Sequence, residues 1–246
     1  MNPQELKKLE KKILLKLSQQ IKPGDTVILG LSGGADSVFL HHFLAQSPCT
    51  LITAHLNHGL RDQAADRDEQ FCEKLATNHL HYSKKVKISS GNQEEKGRDQ
   101  RYKFFNTLAK KHQAKYLLTA HHADDNLETI LLNLTRGATL QGLSGMEELN
   151  NNLFRPLLDI SKKEILAYLK AKHIPYCRDA TNNDLKYSRN RIRLKVLPEL
   201  KKLNPNIAET IAKNANQLRQ TLSYLNSQAE KWLKTQTIPH LNAHSF

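Results

Sequence analysis

The stretch TVILGLSGGADSVFLHHFL, residues 26–44, decides the fold. It opens on an apolar run, residues 26–31, which reads as a strand buried on both faces. A Gly-Gly turn follows, and residues 38–46 read as a helix. Strand, tight turn and helix make the first half of a βαβ unit. The remaining sequence keeps the alternation. Residues 50–57, 82–88 and 114–121 predict strands, and LFRPLL at 153–158 is strand-like. Residues 62–78, 98–112, 124–135 and 162–173 predict helices, while 89–97 and 136–146 read as loops. Strands separated by helices of this length imply a doubly wound α/β fold, with a mostly parallel sheet. Ligands of such sheets bind beyond the carboxyl ends of the strands.

The chain has 246 residues, enough for a sizeable core without disulfide or metal staples. Its 37 Lys and Arg against 24 Asp and Glu give a formal charge of +13, so the chain either binds a polyanion or tolerates strong self-repulsion. Cys49, Cys72 and Cys177 are odd in number and form no CxxC. That excludes a disulfide framework or zinc ribbon and suits free thiols in a reducing cytoplasm. No apolar run is long enough to span a membrane. Residues 1–17 lack a signal-peptide pattern, and Leu6, Leu9, Ile13 and Leu17 predict an amphipathic helix packed on the domain.

The turn carries the first chemistry. Ser32, Gly33, Gly34, Ala35, Asp36 and Ser37 lie between strand and helix. Adjacent glycines let backbone N–H groups surround an anion, and the helix N-terminus adds positive potential. This predicts a phosphate or pyrophosphate site. It is neither a Walker A loop, whose lysine is missing, nor GxGxxG. The plainer alternative is a turn capped by Asp36. A second cluster, TAHHADDNLE, runs from Thr119 to Glu128 off the fourth strand. Asp125 and Glu128, spaced i and i+3, share a helix face. Capping explains Asp124 but not so many acids together. Zinc on His121, His122 and Asp125 is the other alternative, weakened because adjacent residues on a strand end point to opposite faces.

After Asn183 the composition shifts. Eleven Lys and Arg face four acids up to Lys234, and residues 206–234 predict one long helix with Ile207, Ile211, Leu218, Leu222 and Leu225 as its apolar positions. We expect a domain at 1–190 and a small, basic, all-helical segment at 191–246. A stripe of this charge suits RNA phosphates.

SGGADS resembles the pyrophosphate loop of the N-type ATP pyrophosphatases, also called PP-loop enzymes, whose fold is the adenine nucleotide alpha hydrolase type. Within that group the sequence is similar to the tRNA(Ile)-lysidine synthases. The strings that carry this are HLNHGLR (55–61), RDQRYKFF (98–105), TAHHADDNLET (119–129), RGATLQGLSGM (136–146), RPLL (155–158), YCRDATNND (176–184) and SRNRIR (188–193). The resemblance implies a ligase that forms a C–N bond. ATP adenylates the C2 oxygen of the wobble cytidine in a CAU-anticodon tRNA(Ile), and the side-chain amine of L-lysine then displaces AMP. It implies ATP held by residues 32–37 and by Ala54, His58 and Arg61, with Asp36 a Mg²⁺ ligand. Deprotonating a lysine ammonium of pKa ~10.4 at neutral pH costs about 4–5 kcal/mol, so a nearby acceptor is needed. The resemblance therefore assigns Asp36, Arg101, Asp125 and Glu128 to catalysis and lysine handling. His122, Arg136, Arg189, Asn190, Arg191 and Arg193 fall to the tRNA or the wall of the site. The long helix can pack on its own domain or on a second copy, giving a homodimer. Similar proteins carry a further C-terminal region that grips tRNA, and that region is expected to be missing or reduced here. Two rivals stand beside this reading: a PP-loop tRNA thiolase, for which the cysteines offer no sequence pairing, and a non-catalytic nucleotide- and RNA-binding module.

Overall fold

The computed structural model describes residues 1–57, 62–86, 93–177 and 188–235. The strand that opens the deciding stretch, β1 (Thr26–Gly30), lies inside the sheet. Its side chains alternate between layers, Val27 and Leu29 into one core and Ile28 into the other. Burial on both faces is why the run shows no polar alternation. β2 (Thr50–Asn57) pairs parallel on one side of β1, and β4 (Tyr116–Leu118) on the other. β3 (Leu80–Lys85) adds outside β2, and β6 (Leu153–Phe154) outside β4, both parallel. The order β3-β2-β1-β4-β6-β5 ends on β5 (Leu149–Asn150), a short antiparallel edge. This is the doubly wound, mostly parallel α/β architecture expected. The chain leaves β1 toward β2 on one side and returns through β4 on the other, so the switch point lies between β1 and β4.

One layer is built by α1 (Pro3–Gln20), α2 (Ala35–Leu44) and α7 (Lys162–Ala171). Leu9, Ile13 and Leu17 of α1 are buried and Leu6 packs half-buried beside them, the amphipathic face expected, and Asn2 with Glu5 closes a capping box at the start of the helix. Phe39 meets Phe43 and Tyr168 edge-on, each pair with centroids 5.1 Å apart. The opposite face is covered by α4 (Gln93–Lys111) through Phe105, Leu108 and Ala109. The sequence reads residues 93–97 as loop; they are the first turns of α4. The loop at 136–146 likewise contains a helical turn, Leu140–Leu143, started by Thr139. The helix after β2, Asp62–Leu75, buries Cys72 against the core. The predicted strand end at 87–88 lies outside the described residues.

The helix after β4, Ala123–Thr135, supports the C-terminal segment. Helical turns at Ser188–Arg191 and Leu197–Leu203 flank a π-helical turn, Ile192–Val196, and the long helix Ile207–Thr235 follows. Its buried face consists of Ala208, Ala212 and Ala215, not the leucines predicted; Leu218 and Leu222 are half-buried and Leu225 is exposed. Ala208 and Ala212 join Ala123, Leu127, Ile192 and Leu197 in one core. Arg219 adds a polar clasp, donating to the carbonyls of Ser144 at 2.6 Å and Met146 at 2.9 Å. Asn126 holds the same turn, accepting from Met146 N–H at 2.7 Å. Among the described residues no helix is long and apolar enough to cross a membrane.

The alanine face gives a test. Ala212→Leu is expected to lower unfolding stability by about 1–3 kcal/mol through overpacking, whereas Leu225→Ala stays within about 0.5 kcal/mol. Urea unfolding of the two variants measures both.

Candidate active site

Both ends of the switch point carry chemistry. At the end of β1 the backbone reverses through Gly33, whose φ of +81° is the left-handed region. Ser32 and Ser37 fasten the loop, with their Oγ atoms 3.1 Å apart and Ser37 Oγ donating to the Gly34 carbonyl at 3.0 Å. Gly34 caps α2 and, having no side chain, gives the first N–H groups of that helix no capping hydrogen bond. Tyr176 and Cys177 close the outer side, since Cys177 N–H donates to the Gly33 carbonyl at 2.9 Å. Ala54, level with Gly30 on β2, is fully buried and its carbonyl accepts from Leu31 N–H at 2.9 Å. His58 and Arg61 lie outside the described residues.

At the end of β4, which gives way to the helix Ala123–Thr135 (α5 below), His122 is the cap. Its Nδ1 accepts from Asp125 N–H at 3.4 Å, while Asp125 Oδ2 accepts from His122 N–H at 3.1 Å. With Nδ1 accepting, the ring hydrogen sits on Nε2. That atom faces Asp125 Oδ2 at 3.3 Å and Asp36 Oδ1 at 3.6 Å. One buried imidazole therefore stands between the phosphate loop and the acids of α5.

The acids are already partnered. Glu128 is 1% exposed, and Arg193 grips it through Nε at 2.6 Å and Nη2 at 2.9 Å. The same Nη2 reaches Asp125 Oδ1 at 3.2 Å. Arg189 Nε lies 3.3 Å from Glu128, and its Nη2 donates to Thr129 Oγ1 at 2.7 Å. Asp124 accepts from Lys201 Nζ at 2.6 Å and from the Lys162 N–H at 2.8 Å. Burial opposes ionisation of Asp125, but the His122 main-chain N–H and the Arg193 guanidinium favour the charged form, and the carboxyl is held below its ordinary value. Asp124 is lowered in the same way, its burial overcome by Lys201 and the Lys162 N–H. Glu128 goes the other way: burial pushes its carboxyl up despite Arg193. His121, hydrogen-bonded to Thr119 Oγ1 at 2.9 Å, is pushed down by burial and stays neutral.

Asp36 offers both oxygens to Lys162 Nζ, at 2.6 and 2.8 Å. A half-exposed carboxylate that takes a cation bidentately, beside a helix start whose glycine cap gives no side-chain hydrogen bond, fits a polyphosphate with its magnesium ion. Lys162 and Lys201 were missed in the sequence; the residues they meet lie far along the chain, and only the three-dimensional packing brings them in. Arg101 stands on α4 one turn before Phe105, whose ring lies under Gly30, so it sits toward the carboxyl rim of the sheet. Asn190 is half-buried and Arg191 exposed. Because this segment is helical, Arg191 and Arg193 diverge, and only Arg193 turns to the acids. Arg136 caps the far end of α5, ~20 Å from His122 at 1.5 Å per residue, and is exposed. The basic stripe is thinner than its sequence count, since Arg189, Arg193, Lys201 and Arg219 are spent inside the protein.

The cysteines also differ from their sequence spacing. A Cβ on Gly33 would lie 3.3 Å from both Cys72 Sγ and Cys177 Sγ, so the two thiols flank the loop. Burial pushes both up, that of Cys177 to about 12, which leaves them protonated and poor as free nucleophiles.

Comparison with known proteins places this arrangement. A family model described as a PP-loop domain matches residues 5–200. The tRNA(Ile)-lysidine synthase of Geobacter sulfurreducens is 38% identical over 226 residues, 87% of this chain and 48% of that protein. The tRNA(Ile)-lysidine synthase of Chlorobaculum tepidum is 37% identical over 234 residues, 87% of this chain and 70% of that protein. The chain thus spans about half the length of most of the curated relatives it matches. Among solved structures, the U34-tRNA thiolase NcsA from Methanococcus maripaludis, with its 4Fe-4S cluster, superposes with a TM-score of 0.70 at 19% identity, covering 87% of this chain and 78% of that one. That likeness is one of fold.

Gly33→Ala would strain a positive φ and press on two sulfurs, and it is expected to weaken nucleotide binding at least tenfold. Gly24→Ala, at φ +83° with nothing within 4 Å, carries similar backbone strain but leaves nucleotide affinity unchanged. Calorimetric titration with ATP separates them.

Proposed function

The chain belongs to the PP-loop family, on its tRNA(Ile)-lysidine synthase branch, and from that premise we propose that it joins L-lysine to C2 of the wobble cytidine in a CAU-anticodon tRNA(Ile) at the expense of ATP. The observation that carries this reading is His122 Nε2, which faces Asp36 and Asp125 at 3.6 and 3.3 Å. It sets the phosphate loop and the acid pair side by side, as two consecutive reactions on one base require.

In the first step the cytidine O2 attacks the α-phosphorus and pyrophosphate leaves. The N–H groups of α2, with Ser32 and Ser37, hold the phosphates, and Arg101 on the rim adds positive charge. Asp36 would hold a magnesium ion, which would supply charge neutralisation on the phosphates. In the second step the lysine side-chain amine attacks C2 and AMP departs with the oxygen. A zwitterion meets complementary charge here. Asp125, held ionised, is the counter-ion for an ammonium, on which Arg193 keeps only a 3.2 Å contact. Arg193 and Arg189 can face a carboxylate. Glu128, raised by burial, is the better proton acceptor for the amine. The exposed Arg136, Arg191, Lys195, Lys213, Lys231 and Lys234 are left for tRNA phosphates. The same reading places the protein in the cytoplasm, and it gives the exposed Leu225, Trp232 and Leu233 of the last helix to a second copy in a homodimer.

The test is incorporation of labelled lysine into a CAU-anticodon tRNA(Ile) transcript with Mg-ATP, against a transcript with uridine at the wobble position. Incorporation into the first alone, with one AMP per lysine, is expected, and Asp125→Asn should raise KM for lysine at least tenfold. AMP release that ignores lysine, from folded and ATP-binding protein, would contradict the reading.

A further inference from the structure

The phosphate loop has no lysine of its own between Leu31 and Ser37. A lysine nevertheless stands at it, delivered by α7. Lys162 occupies the first turn of that helix, after the Ser161 cap that Glu164 completes. Its backbone is clamped, since its N–H donates to Asp124 Oδ2 at 2.8 Å. Its side chain is not: Nζ crosses to both oxygens of Asp36 in α2, and the two side chains are 37% and 27% exposed. An ion pair this open to water holds little net stability, so exchanging its partner costs little.

The position is electrostatically unusual. Lys162 begins α7 and aims at the beginning of α2, and both helix starts are positive ends that disfavour a cation. Asp36 alone suits α2 without a counter-ion. A cation is explained there by an anion of higher charge than one carboxylate. Resting on the reading of this loop as an ATP site, we propose that Lys162 is the phosphate-binding lysine of the loop: on nucleotide binding its ammonium passes from Asp36 to the β and γ phosphate oxygens, leaving Asp36 free for the magnesium ion. Lys162 then stabilises the pyrophosphate leaving group, with its main chain already fixed by Asp124. The alternative is a strap that merely ties α7 to α2.

Equilibrium titration of ATP, inorganic pyrophosphate and AMP onto the full chain distinguishes the two. Lys162→Met should weaken Mg-ATP and Mg-pyrophosphate at least tenfold and AMP less than twofold, while Lys162→Arg stays within about threefold of wild type for all three. Asp36→Asn, which keeps Lys162 and releases it, should bind ATP more tightly than wild type when magnesium is chelated. That gain should vanish in Asp36→Asn with Lys162→Met. The Asp36→Asn arm remains informative if Lys162→Met loses its fold by circular dichroism. Equal weakening of ATP and AMP in Lys162→Met, or unchanged ATP affinity, or a gain that survives in the double variant, overturns the proposal. Wild-type protein that binds neither ATP nor AMP would instead overturn the nucleotide-site reading beneath it.

Discussion

A carboxylate with 1% exposure needs partners, and Glu128 draws the rest of the site around itself. Desolvating an ion costs several kcal/mol, recovered only with close, well-aligned counter-charges. Arg193 and Arg189 supply them from the C-terminal segment. From there the contacts continue without a gap. Arg193 also reaches Asp125, Asp125 and Asp36 face His122, and Lys162 closes on Asp36. Asp124 extends the net to Lys201. The first turns of α2, α5 and α7 and the helices after residue 188 are thus joined through their charges at one end of the sheet.

That arrangement explains why the C-terminal helices lie on α5. The apolar contact behind them is modest, alanines and a few larger residues around Leu127. The ion pairs fix its register, because the arginines must meet acids that α5 cannot move. Arg219 and Asn126 repeat the device on the turn at Ser144 and Met146. On the proposed function the same groups serve the chemistry. A cluster that holds both carboxylates and guanidiniums suits an amino acid, which carries both charges. The start of α2 suits phosphates.

Much of this could be read from the sequence. The β1 run and the glycines after it specify strand, turn and helix locally, since each is set by residues within a few positions. Asp125 and Glu128 share a face because of helix geometry alone. Other features depend on distant neighbours. Lys162 pairs with a residue 126 positions away and Lys201 with one 77 away, and nothing in their own surroundings marks them. Cys72 and Cys177 flank Gly33 for the same reason. The last helix misled the apolar count because close approach to α5 selects alanine over leucine. The two-residue strand β5 is too short to carry a period, and of the strand-like stretch 153–158 only Leu153–Phe154 forms a strand.

The central claim is that the C-terminal helices are held to the nucleotide half through a buried, mutually dependent charge pair. A double-mutant cycle on Glu128 and Arg193, with Glu128→Gln, Arg193→Gln and both together, measured by urea unfolding, tests it directly. Each single change should cost about 3–5 kcal/mol, because it strands a buried charge, and the double should cost much less than their sum. Additive losses, or single changes costing less than about 1 kcal/mol, would contradict the account.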